Sequence, residues 1–154
     1  GELNYKLNGV NCRVSVVWNF MAAVGTEGTG DTHYSVVKGS KANIEIRQGA
    51  EQKYKPVLYV VNNGDDDTAF EATLRKALKS VGDKYPGLGI EKSGDKEWKV
   101  TIPADIVKTH EQRFSSVMQV YLDYLVDGQI PAWERSQMIS KYYTTTKALE
   151  VAKQ

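Results

Sequence analysis

The chain has few of the residues that form disulfides and histidine-rich metal sites. It has one cysteine, Cys12, and two histidines, His33 and His110. A single cysteine excludes a disulfide within the chain. Two histidines disfavour a metal centre built from imidazole ligands. We therefore predict that no metal ion is bound by this chain.

An excess of charge of one sign and long apolar runs are also absent. The 154 residues include 20 Lys and Arg against 19 Asp and Glu, a formal net charge of +1. Such a balance gives no long-range field to attract nucleic acid or an anionic membrane. No run approaches the roughly 18 apolar residues of a membrane helix. The sequence predicts a globular domain that binds neither nucleic acid nor membrane, and both a cytoplasmic and an exported location fit it.

Alternation of apolar and polar residues predicts that the chain begins with strands. Over Cys12–Phe20 every second residue is apolar or aromatic on one side, which is typical of a half-buried strand. A glycine-containing loop follows, and then three further alternating segments. The four predicted strands cover residues 12–20, 32–38, 42–48 and 55–61.

The second half of the chain changes to helical spacing with one hairpin between helices. Apolar residues at spacings of three and four predict helices over residues 68–81, 109–126 and 133–153, and residues 90–102 have the pattern of a two-stranded hairpin. Strands joined by short links pair antiparallel, and grouped helices cover one face of such a sheet. We predict one α+β domain over residues 1–154, with an open, mainly antiparallel sheet of about six strands and helices packed on one face.

Two local motifs invite functional interpretations that their spacing disfavours. Gly25, Gly28 and Gly30 are spaced G-x-x-G-x-G and precede a strand, whereas a dinucleotide fingerprint is G-x-G-x-x-G and opens a helix. A plain loop is the favoured interpretation. Asp65–Asp67 lack the alternating ligands of a calcium loop and stand directly before a helix. Helix capping is therefore favoured over a cation site.

His33 is the best single candidate for acid–base chemistry. Asp31 lies two residues before it, so on a strand both side chains would lie on one face, and a general acid or base needs such a partner. A histidine on the surface of the sheet is the plainer alternative. His110 is predicted to organise the start of a helix, and Cys12 to be a buried, inert thiol on the apolar face of the first strand.

The aromatic residues could form a platform on which a sugar stacks, but their strand and helix spacing favours a core or an interface. On this interpretation the apolar positions of the last helix form its more buried side. The aromatic set is Trp18, Trp98, Trp133, Tyr142 and Tyr143.

Two stretches of the sequence resemble a known family. They are GTGDTHYSVVKGSKANIEIRQG at residues 28–49, and the segment from residue 110 to 154, in which a helix ends in DG and is followed by IPAW and KYYTTTKAL. Together with the WNF strand they resemble the C-terminal domain of glucose–fructose oxidoreductase and inositol dehydrogenase-type (Gfo/Idh/MocA) proteins. The resemblance extends from about Cys12 to the end of the chain.

The resemblance implies a fold and a function. Family members have an N-terminal Rossmann domain that binds NAD(P) and a C-terminal α+β domain with an open, mainly antiparallel sheet. One side of that sheet helps to form the substrate cleft, and the other commonly mediates oligomerisation. Substrates are often sugars, cyclitols or related polyols, and the chemistry is hydride transfer. The expected partners are therefore the protein's own N-terminal Rossmann domain, which is absent from this chain, a small polyol or sugar, and further copies that meet the open sheet face. That face is expected to be unusually apolar.

Departures from the family pattern limit which residue roles can be transferred from the family to this chain. The G-x-G-x-x-G and Glu-Lys-Pro motifs are missing, and Asp105 and His110 are five apart rather than the four of the family's D-x-x-x-H pair. No catalytic and no cofactor-binding residue is assigned, so the chain alone is expected to be inactive and NAD or NADP belongs to the full-length protein. Asp31, His33 and Trp18 are candidate residues of the substrate cleft by position. The alternative is a stand-alone module that binds a glycan or a partner protein.

Overall fold

The computed structural model describes residues 1–17 and 30–154, which form two compact units. One unit contains the N-terminal strands and residues 109–154, and the other contains residues 30–108. The strands of the described residues are β1 (Glu2–Leu7), β2 (Val10–Ser15), β3 (His33–Lys38), β4 (Ala42–Gln48), β5 (Val57–Asn62), β6 (Gly89–Gly94) and β7 (Glu97–Thr101). The α-helices are α1 (Asp67–Ser80), α2 (His110–Asp127) and α3 (Ala132–Ala152).

Strands β1 and β2 form a separate two-stranded hairpin. Its turn is Asn8-Gly9, and both residues have positive φ, 49° and 82°. Asn-Gly is favoured in two-residue hairpin turns because both residues tolerate this region. The first predicted strand is therefore only partly right. β2 ends at Ser15, β1 was not predicted, and residues 18–20 lie outside the described residues.

The other five strands form one antiparallel sheet in the order β3-β4-β5-β7-β6. Three of the predicted strands and the predicted hairpin are present within it, with ends shifted by a few residues. The α+β class and the open antiparallel architecture are confirmed. The strand arrangement differs from the prediction, since the described residues form one sheet of two strands and one of five rather than a single sheet of about six.

The core of this unit lies between the five-stranded sheet and α1. Its buried side chains come from three neighbouring strands, and Trp98 of β7 is fully buried with no exposed surface. Phe70 of α1 packs on Trp98 with ring centroids 5.1 Å apart. Leu74 and Leu78 lie one and two turns further along the same helix and pack against the same cluster. The remaining members of the buried cluster are Val60, Ile90 and Val100.

A hydrogen bond fixes α1 onto this core. The indole Nε1 of Trp98 donates to Oε2 of Glu71 at 3.0 Å, so the one polar atom of the buried ring has a partner. Arg75, one turn later, pairs with the other carboxylate oxygen of Glu71 at 2.6 Å. The Trp98 hydrogen bond and the Arg75 guanidinium together hold the pKa of Glu71 below its ordinary value.

The acidic run before α1 caps the helix, as the sequence predicts. The side chain of Asp66 accepts a hydrogen bond at 2.9 Å from the backbone amide of the third helical residue. Asp67 pairs with Lys92 at 2.8 Å and Asp65 with Lys96 at 2.9 Å. These lysines lower the pKa of both aspartates, chiefly through the side-chain hydrogen bonds. Each carboxylate of the run therefore has a structural partner.

Helices α2 and α3 have well-defined ends but little burial. A capping box of Thr109 and Gln112 begins α2, and Gly128 ends it with φ 68°, which favours glycine. No residue of either helix is buried. The prediction of both helices is confirmed, whereas the prediction of a more buried side on α3 is wrong for this chain. That side is exposed at Trp133, Ile139, Tyr142, Tyr143 and Leu149.

Truncation of the central indole tests this description of the core. We expect Trp98→Ala to lower the free energy of unfolding by about 3–5 kcal/mol, because it opens a cavity and leaves Glu71 without its indole donor. Trp133→Ala is the matched control, since Trp133 is 57% exposed, and it should have a far smaller effect. Urea unfolding followed by circular dichroism measures both. Equal losses in the two variants would contradict the assignment of Trp98 to the core.

Candidate functional site

The face of the five-stranded sheet opposite α1 carries a network of charged and polar side chains. Alternation along the strands places Glu45 and Arg47 of β4, Tyr59 of β5 and Glu97 of β7 on this face. We refer to these four residues, with Gln52 from the loop after β4, as the Arg47 network. The expectation of an unusually apolar face is therefore wrong for the described strands.

Arg47 is the centre of the network. Its Nη2 lies 2.8 Å from Oε2 of Glu45 and 2.6 Å from Oε2 of Glu97, so one guanidinium joins two carboxylates. To reach Glu97, two strands away, the Arg47 side chain crosses β5 above the ring of Tyr59, with its Cζ 4.5 Å from the ring centroid. This is a cation–π contact, and it orders the long side chain. The arrangement connects three strands through one residue.

The network is substantially removed from solvent. The side chain of Glu45 is 11% exposed, that of Glu97 16% and that of Arg47 32%. Burial lowers the pKa of Arg47, but the hydrogen bonds to Glu45 and Glu97 outweigh it and the pKa is raised. Arg47 is thus held as a cation, and both carboxylates are occupied by it. The network can position strands and present charge, but it has no free base.

The predicted site residues lie at the edge of the same sheet. His33 is the first residue of β3, an edge strand, and it is paired in register with Gln48 of β4. The side-chain amide of Gln48 donates to the backbone carbonyl of Asp31 at 2.9 Å, which fixes the backbone just before the strand. Asp31 and His33 are both exposed, and they form no hydrogen bond or ion pair with each other. The proposed acid–base pairing is therefore not formed in this structure.

Tyr34, the next residue of β3, lies opposite Arg47 in the sheet. It pairs in register with Arg47, lies on the network face by alternation and is 61% exposed. His33, one residue earlier, points to the side of α1. The edge thus carries an exposed imidazole at His33 and an exposed phenol at Tyr34, on opposite faces of the sheet. Sequence reasoning missed Tyr34 and the network, and the alternating polar residues of ANIEIRQ were the available signal.

The remaining candidates are distributed over the chain. Trp18 and most of the glycine-containing loop lie outside the described residues. His110 is the first residue of α2 and packs edge-on against Phe114 with centroids 4.8 Å apart, as expected of a residue at a helix start. Cys12 lies in β2 and is partly rather than fully buried.

The described residues do not fit a dinucleotide cofactor. Pyrophosphate sites use a glycine-rich turn that leads into a helix N-terminus. The N-terminus of α1 instead carries Asp65–Asp67, that of α2 is occupied by its own capping box, and that of α3 follows Pro131 and has Glu134 in its first turn. In residues 1–17 and 30–154, no group of three or more His, Cys, Asp or Glu is placed to hold a metal ion. No helix in this part of the chain is long and apolar enough to span a bilayer.

Removal of Arg47 tests the importance of the network. We expect Arg47→Met to lower the free energy of unfolding by about 1–3 kcal/mol, because Glu45 and Glu97 lose their shared partner in a half-buried position. Arg13→Met is the control, since Arg13 forms a comparable 2.6 Å ion pair with Glu2 but its side chain is 71% exposed. It should cost much less. Urea unfolding at neutral pH measures both, and a loss from Arg47→Met no larger than that from Arg13→Met would contradict this role.

Comparison with known proteins identifies the chain. Residues 1–153 match the protein family described as "Putative oxidoreductase C terminal domain". Among solved structures, the chain is similar to a "putative oxidoreductase from Parabacteroides merdae ATCC 43184", with 46% sequence identity and a TM-score of 0.90. The similarity covers 99% of this chain and 34% of that chain, so this chain spans about a third of its relative. A search of the curated proteins found no match. The chain therefore belongs to the family of oxidoreductase C-terminal domains.

Proposed function

We propose that this chain is the substrate-binding and assembly domain of an NAD(P)-dependent oxidoreductase that acts on a sugar, a cyclitol or a similar polyol. The observation that carries the proposal is the similarity over 99% of the chain to a longer protein described as a "putative oxidoreductase". The resemblance to Gfo/Idh/MocA proteins supplies the NAD(P) cofactor and the substrate class. The finer parts of the proposal depend on that resemblance.

In this proposal the hydride-transfer chemistry lies outside the chain. The described helix N-termini carry acidic residues or a capping box, which are unfavourable surroundings for a pyrophosphate. The chain would instead contribute contacts to the polyol. Hydroxyl groups need paired donors and acceptors, and the sheet edge offers Asp31 and His33, whose side chains form no hydrogen bonds within the described part of the chain. Trp18, the third candidate from the sequence, lies outside the described residues and stays a prediction.

The experiment that tests the proposal uses the full-length protein. We expect it to bind NAD or NADP, measured by calorimetry, and to reduce that cofactor in the presence of a member of a polyol and sugar panel, measured at 340 nm. The 154-residue chain alone should do neither. Turnover by the isolated chain would contradict the proposal that the hydride-transfer chemistry lies outside it. Failure of the full-length protein to bind either nucleotide would favour the stand-alone binding module instead.

A variant of the sheet edge tests the cleft assignment in the same assay. We expect His33→Gln to raise KM for the polyol roughly five- to tenfold, the effect of one weakened hydrogen bond, with a smaller effect on kcat. Lys38→Gln is the matched control, because Lys38 ends the same strand and is also exposed. It should leave both constants unchanged. Identical kinetics for the two variants would remove His33 from the cleft.

Assembly through the sheet face opposite α1 is the second part of the proposal. The Arg47 network gives this face ion pairs rather than an apolar surface, so contacts between two copies would be polar. The attraction between paired charges at the rim of an interface decreases as the salt concentration rises.

Sedimentation of the full-length protein tests this assembly. We expect a homo-oligomer at low salt whose dissociation constant increases with ionic strength. Lys99→Glu reverses a charge on this face, and we expect it to increase the dissociation constant further. Lys79→Glu, on α1, is the control. A monomer at all concentrations, or equal effects of both variants, would contradict assembly through this face.

A further inference from the structure

We propose that the apolar side of α2 is the surface on which the preceding part of the full-length protein packs. This inference rests on the proposed function to the extent that the chain is the C-terminal part of a longer oxidoreductase. It specifies the surface and the part of the protein that covers it, and the contact forms within each polypeptide chain.

The surface is a stripe along one side of α2. Apolar side chains recur at spacings of three and four residues from the first turn to the last, which places them on one side of the helix. Each is about half exposed or more, with values from 46% to 69%. We refer to this set as the α2 stripe, and it consists of Phe114, Val117, Met118, Tyr121, Leu122 and Leu125.

The opposite side of α2 is polar, so the stripe is not the consequence of a uniformly apolar helix. Gln112, Gln119 and Asp123 lie there, and Gln119 donates to Asp123 at 2.8 Å. Helical geometry separates these residues from the stripe by a half turn. A helix with one polar and one apolar side normally buries the apolar side against another element. The sequence of α2 therefore indicates that the stripe is covered in the complete protein.

The helix is also defined without that cover. The capping box at Thr109 satisfies its first amides, and Gly128 ends it in the left-handed conformation. The stripe is thus presented on a formed helix and not on a segment whose conformation depends on the partner. Large contiguous apolar patches on a monomer mark contact sites.

The solved relative indicates the occupant. This chain corresponds to 34% of that protein, and the matching family is a C-terminal domain, so about twice as much polypeptide remains and precedes it. A tethered domain is present at a high effective concentration. It would cover an apolar helix at any protein concentration, whereas a second copy would do so only above its dissociation constant. We therefore assign the stripe to the preceding polypeptide and not to a second copy.

Thiol labelling in the full-length protein tests the surface. Leu125→Cys places a thiol on the stripe, in its last turn, and Asp123→Cys places one on the polar side of the same helix. We expect Leu125→Cys to react with a maleimide roughly tenfold more slowly than Asp123→Cys, because its reaction requires opening of the packed surface. The two rates should become equal in denaturant. Mass spectrometry of the labelled peptides separates these sites from Cys12.

Dilution and crosslinking test the occupant. Protection of Leu125→Cys should persist over about a hundredfold dilution, since a tethered contact does not depend on concentration. A photo-crosslinker at Tyr121, in a mixture of isotopically light and heavy protein, should form products within one chain that join α2 to a peptide preceding the domain. Equal labelling rates, protection lost on dilution, or mixed light–heavy crosslinks would each overturn the proposal.

These readouts do not depend on activity. A protein that keeps the protection at Leu125→Cys but binds neither NAD nor NADP would lose the proposed function and retain the packing surface. A protein that binds the cofactor but is labelled equally at both positions would retain the proposed function and lose the packing surface.

Discussion

The hydrogen bond between the Trp98 indole and Glu71 is the constraint on which the unit of residues 30–108 depends. Trp98 is the fully buried side chain of the described core, and an indole in that position needs an acceptor for its Nε1. Glu71 provides it from the second turn of α1, and Phe70 packs on the same ring. The helix is thereby fixed on one face of the sheet. Because β7 lies between β5 and β6, the position of Trp98 also determines which face of the whole sheet is closed by α1.

The face of the sheet opposite α1 is stabilised in a different way. Within the unit of residues 30–108, side chains that span strands stabilise this face. Arg47 crosses β5 over the ring of Tyr59 to join Glu45 to Glu97. Arg47 pairs in register with Val57 and Glu97 with Val61, so the side chain crosses β5 diagonally. A network of this kind is specific in geometry but modest in net free energy, because burial of its charges opposes their attraction. It suits a face that positions a ligand or another protein more than a hydrophobic core.

Features that depend on neighbouring residues could be predicted from the sequence. The Asp65–Asp67 cap, the helical spacing of α1 and the hairpin around Trp98 are local, and the structure contains each of them. The Asn8-Gly9 turn was equally local, and its dipeptide was a sufficient signal for β1 and β2. The Arg47–Glu97 pair could not be predicted in this way, because it joins residues fifty positions apart through the register of three strands. Asp31 and His33 are close in sequence, yet a spacing of two on a strand permits a shared face without imposing a hydrogen bond.

The last two helices show the limit of periodicity. Spacing identified which residues of α2 and α3 are apolar together, but periodicity describes one element and says nothing about what covers it. In this chain those sides are exposed at Phe114 and Leu125 as much as at Tyr142. A stable helix with an uncovered apolar side is expected where the covering element belongs to another part of the polypeptide, since each part is then selected in the presence of the other. The relative's additional length is consistent with this, because the matching chain is about three times as long. The exposed apolar sides of α2 and α3 are therefore the feature of this chain that our proposal of a covering N-terminal part would explain.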